Sequence, residues 1–146
     1  MSVRYRIIAP ALRHTIDYQQ LSRPAPNART LLESLMTGDC SGMIPGLLVA
    51  GWRSLMEQLG WDHHPDALQR GVWDELLASG LVRHDPKTRL VWLPFMTTDV
   101  YLPDQPQIIR SWAGPWGELP DCDLKHDAWV ALRQALASRA HRRRDA

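Results

Sequence analysis

The chain of 146 residues is 45% hydrophobic and 23% charged, with a formal net charge of +1. That apolar content supports a core and excludes a chain disordered throughout, while the near-zero charge excludes a strongly basic nucleic-acid coat. The length fits one compact domain, or one domain with an appendage.

The longest apolar stretch, from Met43 to Trp52, contains Pro45, Gly46 and Gly51 and is too short to span a bilayer, so no membrane partner is expected. Cys40 and Cys122 have neither metal-ligand spacing nor a redox-pair motif. A disulfide between them stays open. The N-terminus reads as free of a secretory signal, which favours reduced thiols in a soluble, cytoplasmic protein. Seven Trp stand against one Phe, and they are spread along the chain rather than gathered in one box, which reads as packing.

In chain order, residues 4 to 9 suit a short strand, followed by an irregular or weakly helical stretch through Gln20. The breaker cluster Ser22-Arg23-Pro24-Ala25-Pro26-Asn27 introduces a first helix, in which Ala28, Leu31, Leu32, Leu35 and Met36 recur at helical spacing. Met43 to Val49, interrupted by Pro45 and Gly46, suits a short edge strand or an extended connection. A second helix is expected over 50–59, with Trp52, Leu55, Met56 and Leu59 on one stripe and Gly60 as its stop. Pro65 fits the first position of a third helix, which Gly80 closes after Ser79.

Residues 81–84 and 89–93 are β-rich runs around Asp85-Pro86-Lys87-Thr88, where Pro at the second position fits a type I turn. Helix, short strand, helix, helix, strand, turn, strand is the winged-helix order: a helix-turn-helix with a β-hairpin wing. After Pro94 the prolines crowd. A helix over 105–113 should break or kink at Gly114-Pro115. A last helix, Leu124 to about Ser138, presents Leu124, Ala128, Leu132, Ala135 and Leu136 on one face. The expected class is α+β, mainly α. A winged-helix domain spans 1–95, a helical extension 96–138, and a basic, disordered tail 139–146.

Several stretches resemble phage and prophage replication-initiator proteins, the winged-helix replisome organisers similar to the N-terminal part of DnaD-like and phage O-like initiators. They are Ser41-Gly42-Met43-Ile44-Pro45-Gly46-Leu47, Leu59-Gly60-Trp61, Ala78-Ser79-Gly80-Leu81-Val82 and the run from His84 to Pro94. Gln105 to Trp112 and Glu118 to Leu124 continue the likeness, which covers roughly residues 20 to 136. It implies a DNA-binding winged helix used in replication initiation or its control. Two departures stand out: the further helicase-contacting domain of such initiators has no room here, and the third helix lacks their basic character. The resemblance also makes Asp121-Cys122-Asp123 the start of the last helix, with Asp123 suited to an N-cap.

On a helical wheel, Leu68, Val72, Trp73 and Leu76 form the buried stripe of the third helix, with Gln69 at its margin. Asp66, Ala67, Arg70, Gly71, Asp74 and Leu77 face outward. A docked helix-turn-helix would turn that face to the major groove, where Arg70 is the one good donor. Asp66 and Asp74 lie one turn to either side, so an Asp66–Arg70–Asp74 ladder on a solvated face is the plain alternative. The other candidate DNA contacts are Arg53 near the start of the second helix and His64 before the third, where backbone N–H groups favour a phosphate. Lys87, Thr88 and Arg89 sit at the wing, and Arg142, Arg143 and Arg144 form a tail adding counterion-release affinity. Each of these is also what an ordinary solvated residue looks like.

No phosphate-binding glycine loop, dinucleotide fingerprint or nucleophile signature is present, and His63-His64 lacks metal-ligand partners. Neither an enzyme nor a cofactor is expected. The expected partner is duplex DNA, with a homodimer or a replication or phage protein as further possibilities. The alternative function is a winged-helix protein-interaction adaptor or oligomerisation module, suggested by Asp66, Asp74, the near-neutral charge and an exposed Leu77.

Overall fold

A computed structural model describes residues 10–37, 44–98 and 100–145. The strand expected over residues 4 to 9, Cys40, and Ser41 to Met43 lie outside the described residues. The fold is α+β and mainly α, with one three-stranded antiparallel sheet.

Two short helices, α1 (Pro10–Arg13) and α2 (Ile16–Gln19), precede α3 (Ala28–Thr37). The breaker cluster starts α3 as expected: Asn27 accepts at 2.9 Å from the Thr30 amide, satisfying one N–H of the first turn. Trp61 fixes the same segment by donating its indole N–H to the Pro24 carbonyl at 2.9 Å. Strand β1 (Leu47–Val49) leads into α4 (Trp52–Leu59) and α5 (Asp66–Ala78). Gly60 stops α4 at φ 73, in the left-handed region that favours glycine. The hairpin is β2 (Arg83–His84) and β3 (Leu90–Trp92).

The sheet order is β1-β3-β2, with Leu47 opposite Trp92, Leu48 opposite Val91, and Arg83 also opposite Trp92. Gly46 allows β1 to lie this close. Its φ is 80, and a Cβ there would meet the Leu93 carbonyl oxygen at 2.8 Å. Strand β3 is central and wholly apolar because both faces of the sheet are covered. Val91 and Leu93 join one core with Leu31, Leu35, Leu55, Met56, Trp61, Trp73 and Leu76 of the helices. Leu90 and Trp92 join another, with Ile44, Leu47, Leu102, Trp112, Leu124 and Ala128. The boundary expected at residue 95 therefore divides no core from another.

Beyond β3 come a 3-10 turn (Pro94–Thr97), α6 (Pro106–Arg110), α7 (Ala113–Glu118) and the long α8 (Asp123–Asp145). The expected break at Gly114-Pro115 falls earlier, at Ser111 and Trp112. Pro115 lies in the first turn of α7, where its missing N–H has no intrahelical partner to lose. Asp123 opens α8 itself, and the Cys122 carbonyl takes the His126 amide. The expected apolar face of α8 packs on the second core.

The tail is a correction. Residues 139–145 continue α8 instead of fraying, because Arg139 is buried and donates to the Leu102 and Pro103 carbonyls. Among the described residues, no helix is long and apolar enough to cross a membrane.

Candidate functional site

Helix α5 departs from its wheel at three positions, Gln69, Leu68 and Leu77. Gln69 is 3% exposed and Leu68 is 44% exposed. The Gln69 amide donates to the Asp62 and His64 carbonyls at 3.2 and 2.6 Å, closing the turn before the helix and drawing the side chain inward. Leu77 is half-buried against the first core rather than exposed, which removes one motive for the adaptor alternative. Asp66, Asp74 and Glu75 all remain on the exposed side of α5.

Three of the candidate residues meet at the first turn of α4. The Arg53 guanidinium lies 4.6 Å from the centre of the half-buried Trp52 ring, and that of Arg70, from α5, lies 5.5 Å from it. Arg89 arrives from the hairpin, and its side chain would be 3.9 Å from a Cβ placed on Gly51, the N-cap of α4. A glycine cap offers no side chain to the first amides, so their partial positive charge adds to the three guanidiniums. Both helix-borne arginines have carboxylate partners: Arg53 with Asp66 at 3.5 Å and Arg70 with Asp74 at 3.2 Å. The expected ladder through Arg70 is thus split, with Asp66 turned to Arg53. All four groups are exposed, and such pairs contribute only about 0–1 kcal/mol each, so a competing anion can displace them.

The hairpin tip divides the other candidates. The Arg89 amide closes the loop onto the Asp85 carbonyl at 2.8 Å, with Arg89 itself left-handed at φ 64. The Thr88 hydroxyl donates to the Asp85 carboxylate at 2.5 Å and is committed inside the loop. That bond, above the other hydrogen bonds, holds the Asp85 carboxyl below its ordinary value of 3.8, although partial burial opposes it. Lys87 and Thr88 line a groove with Asp121, Cys122 and Asp123, in which Arg53, Arg70 and Arg89 take no part. The Cys122 thiol is free and half-buried in the same groove as Lys87 and Thr88.

Behind the hairpin, His84 meets the Trp73 ring edge-on at 5.2 Å, and its Nε2 is buried without a partner. Burial lowers its pKa below 6.5, against a smaller raising effect from Asp85. His64 lies against His63 with the rings tilted at 39° and accepts at its carbonyl from Gln69. Arg142, Arg143 and Arg144 lie in the last turn of α8.

Trp52 escaped the sequence reading as a site residue because its spacing matched the core stripe. Nothing in a linear pattern announces that Arg70, eighteen positions on, folds back over its ring. No group of three or more His, Cys, Asp or Glu among the described residues is placed to hold a metal ion. No protein-family model, no curated protein and no solved structure significantly matches the chain.

Proposed function

We propose that this is a winged-helix protein that binds duplex DNA mainly through its phosphates, in replication initiation or its regulation as the resemblance to phage-type initiators implies. The observation that carries the DNA contact is the convergence of Arg53, Arg70 and Arg89, from two helices and a hairpin, on the first turn of α4. The helix–strand–helix–helix–hairpin order and the β1-β3-β2 sheet support the winged-helix assignment.

Asp66, Asp74 and Glu75 on the outer side of α5 repel phosphates and disfavour deep entry into the major groove. The contact is therefore shallow, positional and weakly sequence-specific. Three phosphate contacts give a plot of log K against log salt with a slope near −2.7, roughly 0.9 per contact. Fluorescence anisotropy with labelled duplex across a salt series tests this. Combining Arg53→Ala, Arg70→Ala and Arg89→Gly should abolish that slope, and unchanged binding by the triple variant would dismiss the DNA reading.

The acidic outer face and the exposed Leu68 favour a second reading, in which α5 docks a protein partner or a second copy. Failure of duplex to bind even at low salt, with dimerisation that Leu68→Ser disrupts, would establish it in place of the first.

A further inference from the structure

A second surface lies between α6 and the C-terminal half of α8, and it brings Arg143 and Arg144 of the expected tail together with Arg110. It is a groove of about 450 Å³. Pro106, Ile109 and Leu136 make an apolar floor, and Arg110, Arg143 and Arg144 stand around it. The wall is held in place by the buried Arg139 guanidinium, which ties α8 to the carbonyls of Leu102 and Pro103. One carboxylate, Asp104, faces the three outer guanidiniums and reaches Arg143 at 3.4 Å with both side chains solvated. Neither Arg110 nor Arg144 has an acidic partner among the described residues.

We propose that this groove binds an acidic segment of a partner protein, an apolar side chain seated on the floor between carboxylates held by Arg110, Arg143 and Arg144. Charge complementarity selects the occupant. Arginine matches carboxylates with paired N–H donors and tolerates partial desolvation beside apolar atoms. A nucleic-acid backbone would satisfy the arginines yet leave the floor wet, and the lining has no aromatic ring on which a base could stack. An uncharged apolar segment would leave the rim unanswered. The α8 terminus is thus a recruitment surface, separate from the cluster of Arg53, Arg70 and Arg89.

The test uses the full chain and three fluorescein-labelled peptides: alternating Glu and Leu, alternating Glu and Ser, and alternating Lys and Leu. The Glu/Leu peptide should bind, and the Glu/Ser peptide should bind roughly tenfold more weakly for want of the apolar anchor. The Lys/Leu peptide should not bind. Arg110→Ala with Arg144→Ala should weaken the Glu/Leu complex by at least about tenfold. Ala140→Tyr should block it by filling the floor from an exposed position. Equal binding of the Glu/Leu and Glu/Ser peptides would overturn the proposal. So would indifference to both variants, or loss of single-stranded DNA binding by the same variants with no peptide bound.

Discussion

Replacing Arg139 by alanine tests how firmly the end of α8 is built into the fold. Its guanidinium is the charged partner of two backbone carbonyls, at 3.0 Å from Leu102 and 2.5 Å from Pro103. Leu102 is buried, so its carbonyl loses a charge-assisted bond with little water to replace it, at about 1–3 kcal/mol. Pro103 is half-buried, and solvent can reach its oxygen, so its share lies near about 1 kcal/mol. The sum is about 2–4 kcal/mol, with a little more from lost packing of the aliphatic stem. For a domain of this size that lowers the melting temperature by roughly 10 °C. It also moves the urea midpoint by about 1–2 M. Arg139→Lys keeps the charge without the fork and should recover less than half of the loss. Arg144→Ala, at an exposed position, should stay within about 0.5 kcal/mol of the parent. If Arg139→Ala melts with the parent, the tail is not docked and the groove beside it has no fixed wall.

Arg89→Gly removes a guanidinium and relieves a left-handed residue worth about 1–2 kcal/mol, offset by about 0.5–1 kcal/mol of added unfolded-chain entropy. Stability should hold or rise slightly while the DNA salt slope falls by about one; a destabilised variant would contradict the loop geometry. Gln69→Leu leaves the Asp62 and His64 carbonyls without their donor and should cost about 1–3 kcal/mol in chemical denaturation, whereas a neutral result would return Gln69 to the surface. His84 binds a proton less readily folded than unfolded, because burial opposes its charge. The unfolded chain therefore carries more protons below pH 6.5, so stability is complete above that value and declines as pH falls beneath it. His84→Phe keeps a ring against Trp73 and should flatten the decline that sets in below pH 6.5 in denaturation midpoints; an unaltered profile would assign the decline to other groups.

Much of the fold was legible because local chemistry and tertiary packing agree. Asn27, Gly60 and Gly80 punctuate the helices where a cap or a left-handed turn is needed. Leu90 to Leu93 reads as a strand by composition alone. Three features were not legible, each for a nonlocal reason. Gln69 turns inward because two carbonyls five and seven residues back need a donor, and a hydropathy wheel leaves it only at the margin of the buried stripe. Residues 139–145 look like a frayed basic tail until Leu102 and Pro103 supply a seat for Arg139. The meeting of Arg53, Arg70 and Arg89 depends on how α4, α5 and the hairpin cross, and only Arg53 adjoins Trp52 in the chain.

The single strand β3 holds a consequence for how such a protein can diversify. Its alternate residues are keystones of two different cores: Val91 and Leu93 for one, Leu90 and Trp92 for the other. A recombination event that exchanged everything after residue 95 would bring in a new extension but retain Leu47, Leu90 and Trp92 facing it. The incoming piece would have to match that inherited surface or leave it bare to water and prone to association. The two halves are therefore free to vary at their outer faces but constrained to match along one strand.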